Sequence, residues 1–294
     1  MTRWSRPSHD CHHGRRSLGE IRPTLLLYRG TACRLHLALQ EFASASVCLD
    51  ARCKNISYFH PRFQVFRYQR FQKFGKDLLT NGNPSVRRWY RRFFLRPIVS
   101  DRWYLSLFPS RIVSGEIAEY YCSMARPPSC PSPRRRADRK TIFVLRNPID
   151  RVLSQAKWGL ALRRSRPVQN VPEADLLAYI DRPASRLRSN YSRTLDLWSE
   201  FFPKERFLVL FYDALMIDPE NFLSDICSFL GVEFAGNFRN ESIAAKVQET
   251  ADGALPDAVV KHAALASRDE INRLATRLGG PTLDWQRAMR ELLA

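Results

Sequence analysis

Arg146 closes the apolar run Thr141-Ile-Phe-Val-Leu145, is followed at once by Asn147-Pro148, and stands eight residues before Ser154. A guanidinium, a hydroxyl and a helix start held together suit an anion, above all a phosphate. The helix start supplies backbone N–H groups without intrahelical partners and the positive end of the helix dipole. The run 141–145, rich in β-branched and aromatic residues, reads as a buried strand. Asn147 suits the cap, and Pro148 the first turn, of a helix over roughly 148–162. Arg146 then falls at the carboxyl end of a strand, beside those donors, with Ser154 two turns further on. The plainer alternative is an ordinary strand–turn–helix whose Arg146 is merely solvated.

The whole segment Leu145-Arg-Asn-Pro-Ile-Asp-Arg-Val-Leu-Ser154 resembles the L-R-[ND]-P-x-[DE]-R-x-x-S motif of sulfotransferases that use PAPS (3′-phosphoadenylyl sulfate). The resemblance implies that Arg146 and Ser154 hold the donor's 3′-phosphate. It extends to Trp103-Tyr-Leu-Ser-Leu-Phe-Pro109 with Gly115-Glu116, and to Arg188-Ser-Asn-Tyr191 with Leu195, Trp198 and Phe201-Phe202-Pro203. Arg206-Phe-Leu-Val-Leu-Phe-Tyr-Asp213, Asp218-Pro219 and Phe229-Leu-Gly-Val232 continue it, so colinear similarity covers roughly 23–232. Its flavour is that of the heparan-sulfate-type and bacterial carbohydrate branch, in a diverged form. What it implies is an α/β three-layer sandwich around a central parallel sheet, the P-loop-NTPase-like sulfotransferase fold. It also implies sulfuryl transfer from PAPS to a hydroxyl or amine, on a carbohydrate for choice, with no metal, and a place near the cofactor for Tyr191.

Three parts of the family pattern are altered, one of them Gly115-Glu116-Ile117-Ala118, where glycan-acting relatives often carry Lys then Ser. The phosphosulfate loop, K/R-x-G-T-[TS] in the family, is Tyr28-Arg29-Gly30-Thr31-Ala32 here. Gly30 permits close backbone approach, Thr31 and Ala32 offer N–H groups, and Arg29 is the candidate for the displaced cation. The family's K-E-x-H-F-F-D passage is similar to Lys54-Asn55-Ile-Ser-Tyr-Phe-His60, where Asn55 stands at the base position and cannot take a proton. His60 titrates in a suitable range and is the substitute candidate, with Lys54 lining the donor or acceptor site. A catalytically weak or inactive PAPS/PAP-binding pseudoenzyme is therefore the first alternative. An ATP-using P-loop kinase is disfavoured, since G-x-x-x-x-G-K-[ST] does not occur.

The 294 residues carry 47 Lys and Arg against 29 Asp and Glu, a formal net charge of +18, which favours polyanionic partners. Ser85 to Arg96 interleaves arginines with Trp89, Tyr90, Phe93 and Phe94. Such a pattern can grip single-stranded nucleic acid, though an amphipathic helix that buries its aromatics is the expectation. Seven scattered cysteines, none in a C-x-x-C pair, argue against a disulfide framework and for a reducing, cytoplasmic setting. Cys11-His12-His13 has no ligand set around it. No apolar run approaches a membrane span, and Met1 to Arg22 lacks the apolar centre of a secretory signal. The absence of an anchor like that of animal Golgi relatives is expected to mark a soluble, bacterial-type enzyme.

Residues 1–22 read as a disordered basic tail, 23–294 as a single domain, and 126–140 as a Pro/Arg-rich connector within it. Strands are expected at 23–28, 47–49, 141–145 and 206–212. Helices are expected at 32–42, 64–80, 85–96, 148–162, 172–181, 187–201, 219–230 and about 257–278. In the helix over 64–80, Phe66, Phe71, Phe74 and Leu78 are expected to supply apolar faces. This alternation predicts a doubly wound sheet covered on both faces.

Overall fold

The computed structural model describes residues 24–28, 47–48, 56, 62–81, 83–96, 100–108, 113–118, 140–161, 167–234 and 253–294. The described strands are β1 (Thr24–Tyr28), β2 (Val47–Cys48), β3 (Val113–Ala118), β4 (Thr141–Leu145) and β5 (Phe207–Phe211). In the first half lie helices α1 (Phe63–Thr80), α2 (Pro84–Leu95) and α3 (Asp101–Leu105). After β4 come α4 (Pro148–Leu160), α5 (Glu173–Asp181), α6 (Pro183–Ser189) and α7 (Tyr191–Ser199). β5 is followed by α8 (Tyr212–Ile217), α9 (Pro219–Leu230), α10 (Asp257–Leu278) and α11 (Pro281–Leu293).

The sheet order is β2-β3-β1-β4-β5 and every pairing is parallel. β1 is central, with the early strands on one side and the later ones on the other. Its carboxyl end is thus the switch point where ligands bind in open α/β sheets. Tyr28 pairs with Val144, so the chain leaves β1 two residues short of the level of Arg146.

β4 shows why the sheet sits between two layers. All five of its residues are buried, and their side chains alternate between the faces. Phe143 and Leu145 join the larger core with Val152, Leu176, Tyr191, Trp198, Ile271 and Trp285. Ile142 and Val144 join the other, with Leu210, Leu215, Phe222, Ile226 and Leu230. Full burial of an aliphatic or aromatic side chain is worth roughly 1.5–3 kcal/mol, so this one strand anchors both layers.

α2 settles the two readings of the Arg/aromatic segment. Trp89, Tyr90, Phe93 and Phe94 are buried in a third cluster with Phe63, Trp103, Tyr104, Leu107 and Phe108. Trp89 donates its indole N–H to the Leu107 carbonyl at 2.9 Å, and Trp103 to that of Arg92 at 2.9 Å. The aromatics are therefore not presented as a stacking platform for bases. Arg67 on α1 donates to the carbonyls of Phe93, Phe94 and Arg96 and so closes the last turn of α2.

The structure differs from the sequence-based expectations at four places. The single helix over 187–201 is two, because Asn190 leaves helical geometry and its side chain caps Arg193 N at 3.0 Å. α6, begun by Pro183, precedes that break. The face expected of the helix over 64–80 is largely open, with Phe71 and Phe74 exposed, because Phe63 and Gly75 take the buried positions. α11 was not anticipated at all, although Pro281 at its first turn and the i, i+4 pair Trp285 and Met289, both buried, are its signals. Tyr212, expected to end β5, instead opens α8. The helix over 32–42, the tail 1–22 and the connector to Arg139 lie outside the described residues, as does Cys11-His12-His13.

Candidate functional site

Arg146 stands where β4 hands over to α4. The hand-over is made locally, by Asn147 accepting from Ile149 N at 3.0 Å and by Pro148 at the first helical position. The Arg146 guanidinium is half-buried and lies over the Tyr212 ring, 5.3 Å from its centroid. Ser154 is buried on α4, and Tyr191 has no accessible surface. The Tyr191 ring packs edge-on against Phe143 of β4, with centroids 5.8 Å apart. Tyr191 thus lies in the core beside β4.

Two carboxylates share the neighbourhood of Arg146. Asp150 keeps exposed surface, yet the protein mass around its carboxyl pushes its pKa above the usual carboxylate range. The Arg146 charge draws it back down, and the Asp213 charge raises it further. Asp213 follows Tyr212 at the carboxyl end of β5, and its Oδ2 is buried without a hydrogen-bond partner.

These residues fit a phosphorylated nucleoside. A guanidinium, a hydroxyl and a helix start are donors for a phosphate. The orphan Asp213 oxygen is an acceptor suited to a donor group such as a hydroxyl or an amine, and it repels bare anions.

Arg151, whose role the sequence did not disclose, binds the back of the site together. It is 3% exposed, and its Nε and Nη2 donate to Ser189 Oγ at 2.9 and 2.5 Å. Nη2 also donates to the Ser185 carbonyl at 3.0 Å, and Nη1 to Gln155 Oε1 at 2.6 Å. Glu270 of α10, 7% exposed, accepts from Ser192 N at 2.7 Å and from Arg273 at 2.8 Å. It holds the start of α7, and with it Tyr191, against the sheet. No local signal reveals the contacts to Ser185, Ser189 and Ser192, since these span 34 to 78 residues.

The remaining candidates, Arg29, Gly30, Thr31, Ala32, Lys54 and His60, lie outside the described residues. Among the described residues no group of three or more His, Cys, Asp or Glu is placed to hold a metal ion. No described helix is long and apolar enough to cross a membrane.

A five-stranded parallel sheet of this order, flanked by helices and with an arginine at the carboxyl end of β4, defines a doubly wound α/β protein. Residues 138–236, which contain Arg146, Arg151, Ser154, Tyr191 and Tyr212, match the family model described as "Sulfotransferase family". The similarity to that family is carried by this segment, about a third of the chain. Heparan sulfate glucosamine 3-O-sulfotransferase 6 of Homo sapiens is 30% identical over 146 residues, 45% of this chain and 40% of that protein. Its Mus musculus counterpart matches to the same extent. The chain thus spans less than half the length of these curated relatives. The crystal structure of a sulfotransferase from Alicyclobacillus acidocaldarius superposes with a TM-score of 0.58 at 17% identity, covering 90% of this chain and 99% of that one. That likeness shows the sulfotransferase fold.

Proposed function

We propose that the protein is a sulfotransferase that moves a sulfuryl group from PAPS to a hydroxyl or amine of a carbohydrate acceptor. The carrying observation is the position of Arg146, at the carboxyl end of β4 and the start of α4, inside the segment that matches the family. Arg146 and Ser154 hold the donor's 3′-phosphate, and Asp213 accepts from a donor group of the nucleoside. The bound donor supplies an activated sulfuryl group: its S–O bond to phosphate breaks as the acceptor's bond to sulfur forms.

The chain's tasks are positioning, charge stabilisation and removal of the acceptor proton. Gly30-Thr31-Ala32 with Arg29 at the phosphosulfate, Lys54 at the donor or acceptor, and His60 as proton acceptor are the parts of this proposal that rest on sequence alone. A carbohydrate acceptor is supported by the named activity of the curated relatives and by the +18 charge, which attracts anionic glycans. A cytoplasmic setting belongs to the same proposal and rests on the scattered cysteines.

Isothermal titration with 3′,5′-ADP, beside a radiolabelled sulfate-transfer assay, tests it. Arg146→Ala is expected to weaken 3′,5′-ADP binding at least tenfold, about 1.4 kcal/mol, since a charge-assisted contact commonly exceeds that. An unchanged affinity would remove the assignment.

A further inference from the structure

We infer that Tyr212 is a positioning residue that presents the Arg146 guanidinium to the 3′-phosphate, an inference resting on the donor-site reading above. The guanidinium lies 5.3 Å from the Tyr212 ring centroid, within the range of a cation–π contact. An aromatic face beside a guanidinium favours its charge and limits its rotamers, so that N–H donors can be held toward a phosphate.

The ring is itself placed by the backbone. Tyr212 is the first residue of α8, immediately after β5, and β5 pairs with β4 in a register that sets Phe211 opposite Leu145. Arg146 and Tyr212 are thus the next residue on each of two neighbouring parallel strands, and the approach of the guanidinium to the ring follows from that register. Tyr212 also packs against the core of Ile142, Val144, Leu215 and Phe222, which limits its motion.

The test compares 3′,5′-ADP with 5′-AMP, which lacks only the 3′-phosphate, in titrations of wild type, Tyr212→Phe, Tyr212→Leu and Tyr212→Met. Tyr212→Phe keeps the face and should bind 3′,5′-ADP within about twofold of wild type. Each aliphatic variant should lose about five- to tenfold for 3′,5′-ADP and almost nothing for 5′-AMP. In the Arg146→Ala background the aliphatic change should have no further effect, as expected for two residues acting through one contact. If one aliphatic variant does not fold, the other carries the comparison, with thermal melting as the control.

Failure of the underlying reading looks different. Wild type would then bind both nucleotides alike, or Arg146→Ala would change neither. If wild type prefers 3′,5′-ADP through Arg146 while the aliphatic variants lose neither ligand, or lose both equally, the inference about Tyr212 is overturned and the donor site stands.

Discussion

Replacing Arg151 by alanine should destabilise the protein by about 3 kcal/mol. The guanidinium is buried and its hydrogen bonds include two to Ser189 Oγ and one each to the Ser185 carbonyl and Gln155 Oε1. Hydrogen bonds that involve a charged group are worth roughly 1.5–3 kcal/mol, and a buried acceptor left unmade costs about 1–3 kcal/mol. Both Ser185, 3% exposed, and Gln155 would lose their partner. Desolvation of the buried cation opposes this stabilisation, so a sum over these bonds would overshoot.

A shift of roughly 2–4 °C per kcal/mol, typical of domains of 150–250 residues, predicts a Tm lowered by about 6–12 °C. Thermal unfolding followed by circular dichroism reads it, with Arg151→Met as companion because it keeps the apolar stem and drops the fork. A Tm within about 2 °C of wild type for Arg151→Ala, or an Arg151→Met variant as stable as wild type, would refute the reasoning. The desolvation cost would then cancel the network, and α6 would be held by packing alone.

Two further outcomes follow from titrating groups. Asp150 has a folded-state pKa raised above its unfolded value, so its ionisation lowers stability as pH rises from about 4 through the raised value. The Tm of Asp150→Asn relative to wild type should therefore climb between pH 4 and 7; a difference that is flat or falls with pH contradicts the assignment. Burial pushes the Cys227 thiol up to about 11, which leaves roughly one thiolate in a thousand at pH 8. Peptide mapping should find Cys227 unlabelled by iodoacetamide in the native protein and fully labelled in denaturant. Native labelling at the rate of a free thiol would show that the α9 face opens readily.

The strand 141–145, the cap Asn147 and the stop at Gly231 were legible because each is decided within a few residues. An apolar run must be buried, an Asn–Pro pair opens a helix, and only glycine readily takes the left-handed φ of 75° that ends α9. The same locality placed Arg146 at the end of a strand. The helix boundaries at Asn190 and Pro183 were misread because the apolar periodicity of 187–201 continues across a break that side-chain capping enforces.

Residue types and spacing thus determined that a cation precedes a helix start and that a hydroxyl lies two turns along that helix, since those placements need only the local chain. Tertiary structure alone decided that Tyr212 lies beneath Arg146, that Arg151 reaches Ser185 and Ser189, and that Glu270 holds the start of α7. Those pairings join residues 34 to 78 positions apart. Parallel strand register and helix packing set them, and neither leaves a periodic trace in a single sequence.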